Sequence, residues 1–207
     1  MFVRYDPSML GSVPASRRQS LSTPPVDPDD STVSLASLAS AEDSGEAEFL
    51  FFGDFESAYR APGEESTAVA AGETAGEHNQ AIWEQAAKSM KAGRLTSIFM
   101  ECSYDSSRSQ ELMYGHLSPP GVFHELKTLA SLLPAKERPL AGLRVYITHI
   151  KEFLQPHPSG LGARELIQAE LLELERKNNL GVEFALLSPG DRVCEYTDAA
   201  GAVWSTS

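Results

Sequence analysis

Three short apolar runs in this chain each lead into a side chain that can bind a metal or move a proton. Glu48-Phe49-Leu50-Phe51-Phe52-Gly53 leads into Asp54, Ile98-Phe99-Met100 into Glu101, and Val145-Tyr146-Ile147-Thr148 into His149. Runs this short and this continuous in apolar residues predict buried strands rather than the half-solvated strands of an alternating pattern. A polar block, Cys102 to Leu117, follows the second run and carries Gly115-His116-Leu117 near its end. Buried strands that deliver an Asp, a Glu and a His at or near their carboxyl ends have the layout of a hydrolytic metal site.

The rest of the chain is consistent with such a sheet. At 207 residues and 42% hydrophobic it is long enough for one domain or part of one. Its apolar residues are sparse over 6–46 and dense from Ile98 onward. Residues 1–5, with Phe2-Val3-Arg4-Tyr5, predict a strand of the catalytic fold. Residues 6–46, rich in Ser, Pro and acids, predict a disordered insertion, because they bury too little surface to offset the entropy of ordering. Residues 47–60 then form a strand and an Asp-bearing loop, and 61–77 a flexible loop.

Residues 78–190 predict the C-terminal part of the catalytic domain, and 191–207 a tail or edge hairpin. Ile82, Trp83, Ala86, Ala87 and Met90 recur at helical spacing from Asn79 until Gly93 ends the pattern. A strand follows over 96–101, then a helix over 118–133 with Ser118 as N-cap and Pro119 at its first position. Next come a strand over 144–148, a helix over 163–177 closed by Asn178-Asn179, and a last strand over 181–187. Strands alternating with helices predict a layered α/β domain.

The stretches FLFFGDFES, IFMECSYDSSRSQELMYGHLSPPGVFHELKTLA and GLRVYITHIKE resemble the class II cyclic nucleotide phosphodiesterases, fungal low-affinity enzymes with the metallo-β-lactamase fold. The resemblance covers roughly residues 48–187 and implies the C-terminal half of an αββα sandwich with long disordered insertions. It implies that Asp54 bridges two zinc ions, or other divalent metals, and that His149 is a late metal ligand. The Gly115-His116 pair is also similar to that of related tRNA 3′-processing nucleases. By that likeness His116 donates a proton to the leaving group and Glu101 orients it. The implied reaction is hydrolysis of cyclic AMP or cyclic GMP to the 5′-nucleotide, which ends a cyclic nucleotide signal.

These residue types suit the chemistry in their own right. Two metals can generate hydroxide near neutral pH, a bridging carboxylate holds them apart, and imidazoles complete an open coordination sphere. Imidazole, which titrates near neutrality, also suits proton transfer to a departing oxygen. Each residue keeps a plainer reading. Asp54 after Gly53 could be a turn residue, His149 a capping or core histidine, His116 a loop residue, and Glu101 a strand-end carboxylate paired with a lysine. His124 and His157 read as solvent-facing, His78 has a weaker claim on the site, and Cys102 reads as a buried strand residue with nothing nearby to lower its pKa.

One departure from the family pattern matters. The His-x-His-x-Asp-His motif is absent and no histidine precedes Asp54. Met1 is therefore expected to be an internal methionine of a longer protein. Asp54 and His149 alone cannot build a two-zinc site, so the chain by itself is expected to be inactive or very weak, with an exposed apolar sheet edge.

A net charge of −12 disfavours nucleic acid or acidic membranes as partners, and weakens the further alternative of a nuclease on the same fold. Two cysteines suit a reducing compartment. No apolar run reaches the roughly 18 residues of a membrane span, no secretory leader is expected, and the default expectation is a cytoplasmic location. The main alternative function is that of a non-catalytic regulatory or interaction fragment. Arg17-Arg18-Gln19-Ser20 has the basic spacing favoured by cyclic AMP dependent kinase, which makes Ser20 a candidate phosphosite and a kinase a candidate partner. Nucleotide preference and oligomeric state stay open.

Overall fold

A computed structural model describes residues 2–4, 47–60, 69–198 and 201–206. The expected insertion over 6–46 and Ser20 lie outside the described residues. Five strands form one sheet in the order β1 (Phe2–Arg4), β2 (Glu48–Phe51), β3 (Leu95–Glu101), β4 (Arg144–Thr148) and β5 (Glu183–Leu186). β1 runs antiparallel to β2, while β2, β3, β4 and β5 are mutually parallel. Parallel neighbours need crossover segments, and three helices supply them: α1 (Val69–Lys91), α2 (Pro119–Ser131) and α3 (Ala163–Asn178). Two further strands, β6 (Val193–Asp198) and β7 (Gly201–Thr206), pair only with each other, so the C-terminal hairpin is a separate two-stranded sheet and does not extend the sheet edge.

The core lies between one face of the sheet and the helices. Leu50, Ile98, Met100, Val145 and Ile147 alternate along three adjacent strands and are fully buried. Trp83 and Ala86 of α1, Val122, Leu126 and Leu129 of α2, and Ile167 and Leu171 of α3 belong to the same core. On the other face, Phe99 meets Phe49 at 5.6 Å, Phe51 at 6.0 Å and Tyr146 at 4.6 Å between ring centroids. Tyr146 on that face is 1% exposed and Phe51 49%, so β4 is buried on both faces as its composition predicts, whereas β2 is open on one of them.

Local signals explain most element ends. α1 stops at Gly93, which has φ +70; Gly93 N–H bonds Met90 O and Arg94 N–H bonds Ser89 O, the paired closure that a left-handed glycine allows. Asn179, with φ +50, closes α3 in the same conformation. Ser118 occupies the N-cap of α2 with Pro119 after it, but its side chain makes no capping hydrogen bond. α1 begins at Val69, whereas the sequence pattern starts a helix at Asn79. Residues 69–77, assigned from sequence to a flexible loop, are its first turns. Gly72 and Gly76 hide the helical signal there, while the alanines around them are strong helix formers. β5 is shorter than the run 181–187 because Gly181 takes φ +92 and breaks the extended path. No helix among the described residues is long and apolar enough to cross a membrane.

Candidate metal centre

Parallel pairing brings the three polar strand ends to one edge of the sheet. Glu101 is level with Thr148 in the β3–β4 register, so His149 begins one residue beyond Glu101, and Phe52 N–H bonds Phe99 O, which places Asp54 on the same side. Asp54 Oδ1 and His149 Nδ1 are 3.1 Å apart, and the rings of His149 and His116 are 5.1 Å apart. One donor atom from each of Asp54, His116 and His149 falls within 4.8 Å of the others. Asp54 and His149 are open to solvent, at 68% and 44% side-chain exposure, whereas His116 is 11% exposed. His149 holds φ +57, a left-handed conformation uncommon outside glycine and one in which histidine is enriched; it turns the chain sharply off β4.

Glu101 is the pivot beneath this group. It is almost wholly buried, and its Oε1 lies 3.0 Å from His116 Nδ1 and accepts the Phe55 N–H at 3.2 Å. Ser103 Oγ donates to Oε2 at 2.6 Å and also lies 3.0 Å from the His149 carbonyl oxygen. One carboxylate therefore ties the loop after Asp54 to His116, and the hydroxyl beside it reaches the backbone of His149. Ser103 N–H bonds Leu117 O and Lys151 N–H bonds Ser103 O, which fixes the three connecting loops to one another. A carboxylate on Nδ1 holds an imidazole in the tautomer that leaves Nε2 as its working atom.

Lys151 supplies an element that the sequence reading lacks. Its Nζ is 2.9 Å from His116 Nε2 and donates to Tyr104 Oη at 3.2 Å. Tyr104 in turn carries the Arg108 guanidinium over its ring at 3.9 Å. Lys151 stands two residues after His149 in Thr148-His149-Ile150-Lys151, and that adjacency was its only signal.

The remaining sequence candidates lie elsewhere. His124 is half-buried, not solvent-facing, because Tyr59 packs its ring 6.0 Å away, and His157 is shielded by Phe153, stacked at 5.1 Å. His78 is exposed on α1. Cys102 is fully buried, and burial pushes its thiol well above the usual range, with Glu101, Glu170 and Asp105 adding to the effect.

The donors fit zinc chemistry. Asp54 and His149 offer a carboxylate oxygen and an imidazole nitrogen, both donors that zinc accepts, whereas both ring nitrogens of His116 are already engaged, Nδ1 by Glu101 and Nε2 by Lys151. Asp54 and His149 thus have the freer donor atoms.

The family model for class-II cAMP phosphodiesterases matches residues 20–190. A probable 3′,5′-cyclic-nucleotide phosphodiesterase of Yersinia pestis is 34% identical over 110 residues, which is 53% of this chain and 30% of that protein. The 3′,5′-cyclic-nucleotide phosphodiesterase 1 of Saccharomyces cerevisiae is 35% identical over 100 residues, 48% of this chain and 26% of that protein. Among solved structures, that of unliganded yeast PDE1 superposes with a TM-score of 0.53 at 28% identity, covering 70% of this chain and 36% of the yeast chain. The layered fold is accordingly that of a metallo-β-lactamase-like class II phosphodiesterase, of which this chain spans under a third of the length of these two relatives. The polar strand ends, the sheet that aligns them and the family match agree, and the chain belongs to the class-II cAMP phosphodiesterases.

Proposed function

We propose that this chain contributes the Asp54, His116 and His149 side of an active site that hydrolyses cyclic AMP, with cyclic GMP as a second substrate, to the 5′-nucleotide. The observation that carries the reading is the convergence of these three side chains at one sheet edge, with Glu101 held on His116 Nδ1. Asp54 and His149 would hold zinc. A divalent metal held there would supply Lewis acidity and lower the pKa of the attacking water. As water displaces the 3′ oxygen from phosphorus, His116 would pass a proton from Nε2 to that departing oxygen. Glu101 keeps the ring oriented and balances the imidazolium.

The two-metal step needs more ligands than the described residues gather, so the chain alone is expected to be inactive. The test is to assay cyclic AMP hydrolysis by this chain alone and by the same chain joined to the part of the Saccharomyces cerevisiae relative that it does not cover. The joined protein should turn over cyclic AMP and lose that activity in Asp54→Ala and His149→Ala. Full activity in either variant would refute the assignment.

The alternative of a regulatory fragment rests on the Arg17-Arg18-Gln19-Ser20 motif. A kinase acting there should add phosphate to the wild type and none to Ser20→Ala; equal uptake by both removes this reading.

A further inference from the structure

We propose that Lys151 is a substrate-binding residue that grips a non-bridging phosphate oxygen, an inference that rests on the phosphodiester reading above. Its ammonium is built into the site. The backbone N–H of Lys151 is pinned to Ser103 O, its Nζ donates to Tyr104 Oη at 3.2 Å, and it sits 2.9 Å from His116 Nε2. The Tyr104 ring lies 5.0 Å from Nζ and packs edge-on against His116 at 6.0 Å between centroids, which limits the positions open to the ammonium.

An ammonium has three donors, and the contacts above occupy two. The third is left for a ligand, and His116, which Nζ meets, belongs to the group that converges at this sheet edge. The chain carries a net charge of −12, and Glu101 and Asp54 stand in the site itself, so an anionic substrate needs a cation at this spot. Lys151 also faces the working nitrogen of His116. A phosphate that draws Nζ toward itself frees Nε2 to face the leaving oxygen. The anion that binds would therefore uncover the proton-transfer atom, which links recognition to chemistry in a single side chain.

The test uses calorimetric titration of the 207-residue chain with inorganic phosphate and, separately, with cyclic AMP. Lys151→Met should weaken both by about tenfold or more, the loss expected for a hydrogen bond to a charged group. Lys151→Arg should retain most of the affinity, and Lys127→Met, which removes the same charge from the exposed surface of α2, should change it less than about twofold. Equal binding by Lys151→Met and the wild type, equal losses in Lys151→Met and Lys127→Met, or no binding of either anion by the wild type would each overturn the proposal. Phosphate binding that depends on Lys151 without any binding of cyclic AMP would uphold the anion site and refute the cyclic nucleotide reading.

A second readout needs no variant. In long-range proton–nitrogen NMR spectra of the wild type, saturating phosphate should shift His116 Nε2 and leave His78 unchanged. An unmoved His116 Nε2 would also overturn the proposal.

Discussion

Replacing Glu125 with alanine should destabilise the fold and loosen the candidate site together. Glu125 projects from α2 and is 2% exposed. Its Oε2 accepts the Trp83 Nε1–H at 2.7 Å, and its Oε1 accepts the Ser57 hydroxyl at 2.5 Å and, weakly, Asn79 Nδ2 at 3.5 Å. Asn79 keeps a second bond, to Glu56 O at 2.9 Å, so the change strands two buried donors, on Trp83 and Ser57. At about 1–3 kcal/mol for each unsatisfied group, less the relief of no longer burying a carboxylate, the net loss should be about 2–4 kcal/mol. Urea unfolding followed by tryptophan fluorescence measures it, since Trp83 is fully buried beside this carboxylate. The midpoint should fall with little change in slope. Ser57 lies three residues after Asp54, so zinc affinity should fall as well. A loss below about 1 kcal/mol would refute the idea that Glu125 fastens this loop to α1 and α2.

Three further outcomes follow from individual residues. Gly181→Ala should cost about 1–3 kcal/mol of stability, because a Cβ at φ +92 would sit 3.0 Å from Ala141 Cα and N and from Arg138 Cβ; an unchanged melting temperature would contradict this. Cys102, its thiol pushed up by burial, should resist iodoacetamide in the native protein at pH 8 and react after denaturation, so fast native labelling of this residue would count against the fold. Glu173 is held down to about 2 by hydrogen bonds from Arg176 and then Lys177. The sign follows: its contribution is present above the ordinary value of 4.5 and fades as pH falls from there toward 2. Glu173→Gln should therefore differ slightly from the wild type at pH 7 and not at pH 2, and a difference that grew on acidification would contradict the pairing.

Strand and helix positions were readable because the determinants are local. The run Val145-Tyr146-Ile147 is continuously apolar and forms a strand buried at all three residues, and Ile82, Trp83, Ala86 and Met90 repeat at the period of a helix that packs on a sheet. The beginning of α1 was not readable, since glycines at 72 and 76 outweigh in a local pattern what the helix gains from continuing upstream. The meeting of Glu101 with His116 was expected only through likeness to other enzymes. It depends on a turn in which Tyr114 and Gly115 both take positive φ, a conformation uncommon for a tyrosine. Lys151 escaped notice because a single lysine after a histidine has no distinguishing pattern; its meaning comes from Tyr104 and His116, which the fold brings to it from distant sequence. The solvent-facing reading of His124 failed for the same reason, because Tyr59 approaches it from another loop.

The central claim is that Asp54 and His149 hold a metal beside His116, and zinc titration of the purified chain tests it most directly. Calorimetry with a competing chelator, repeated on Asp54→Ala and His149→Ala, gives both stoichiometry and affinity. One bound zinc ion is expected in the wild type, with a loss of at least about tenfold in affinity in each variant. Two tightly bound ions in the wild type, or affinity unchanged by either substitution, would contradict it.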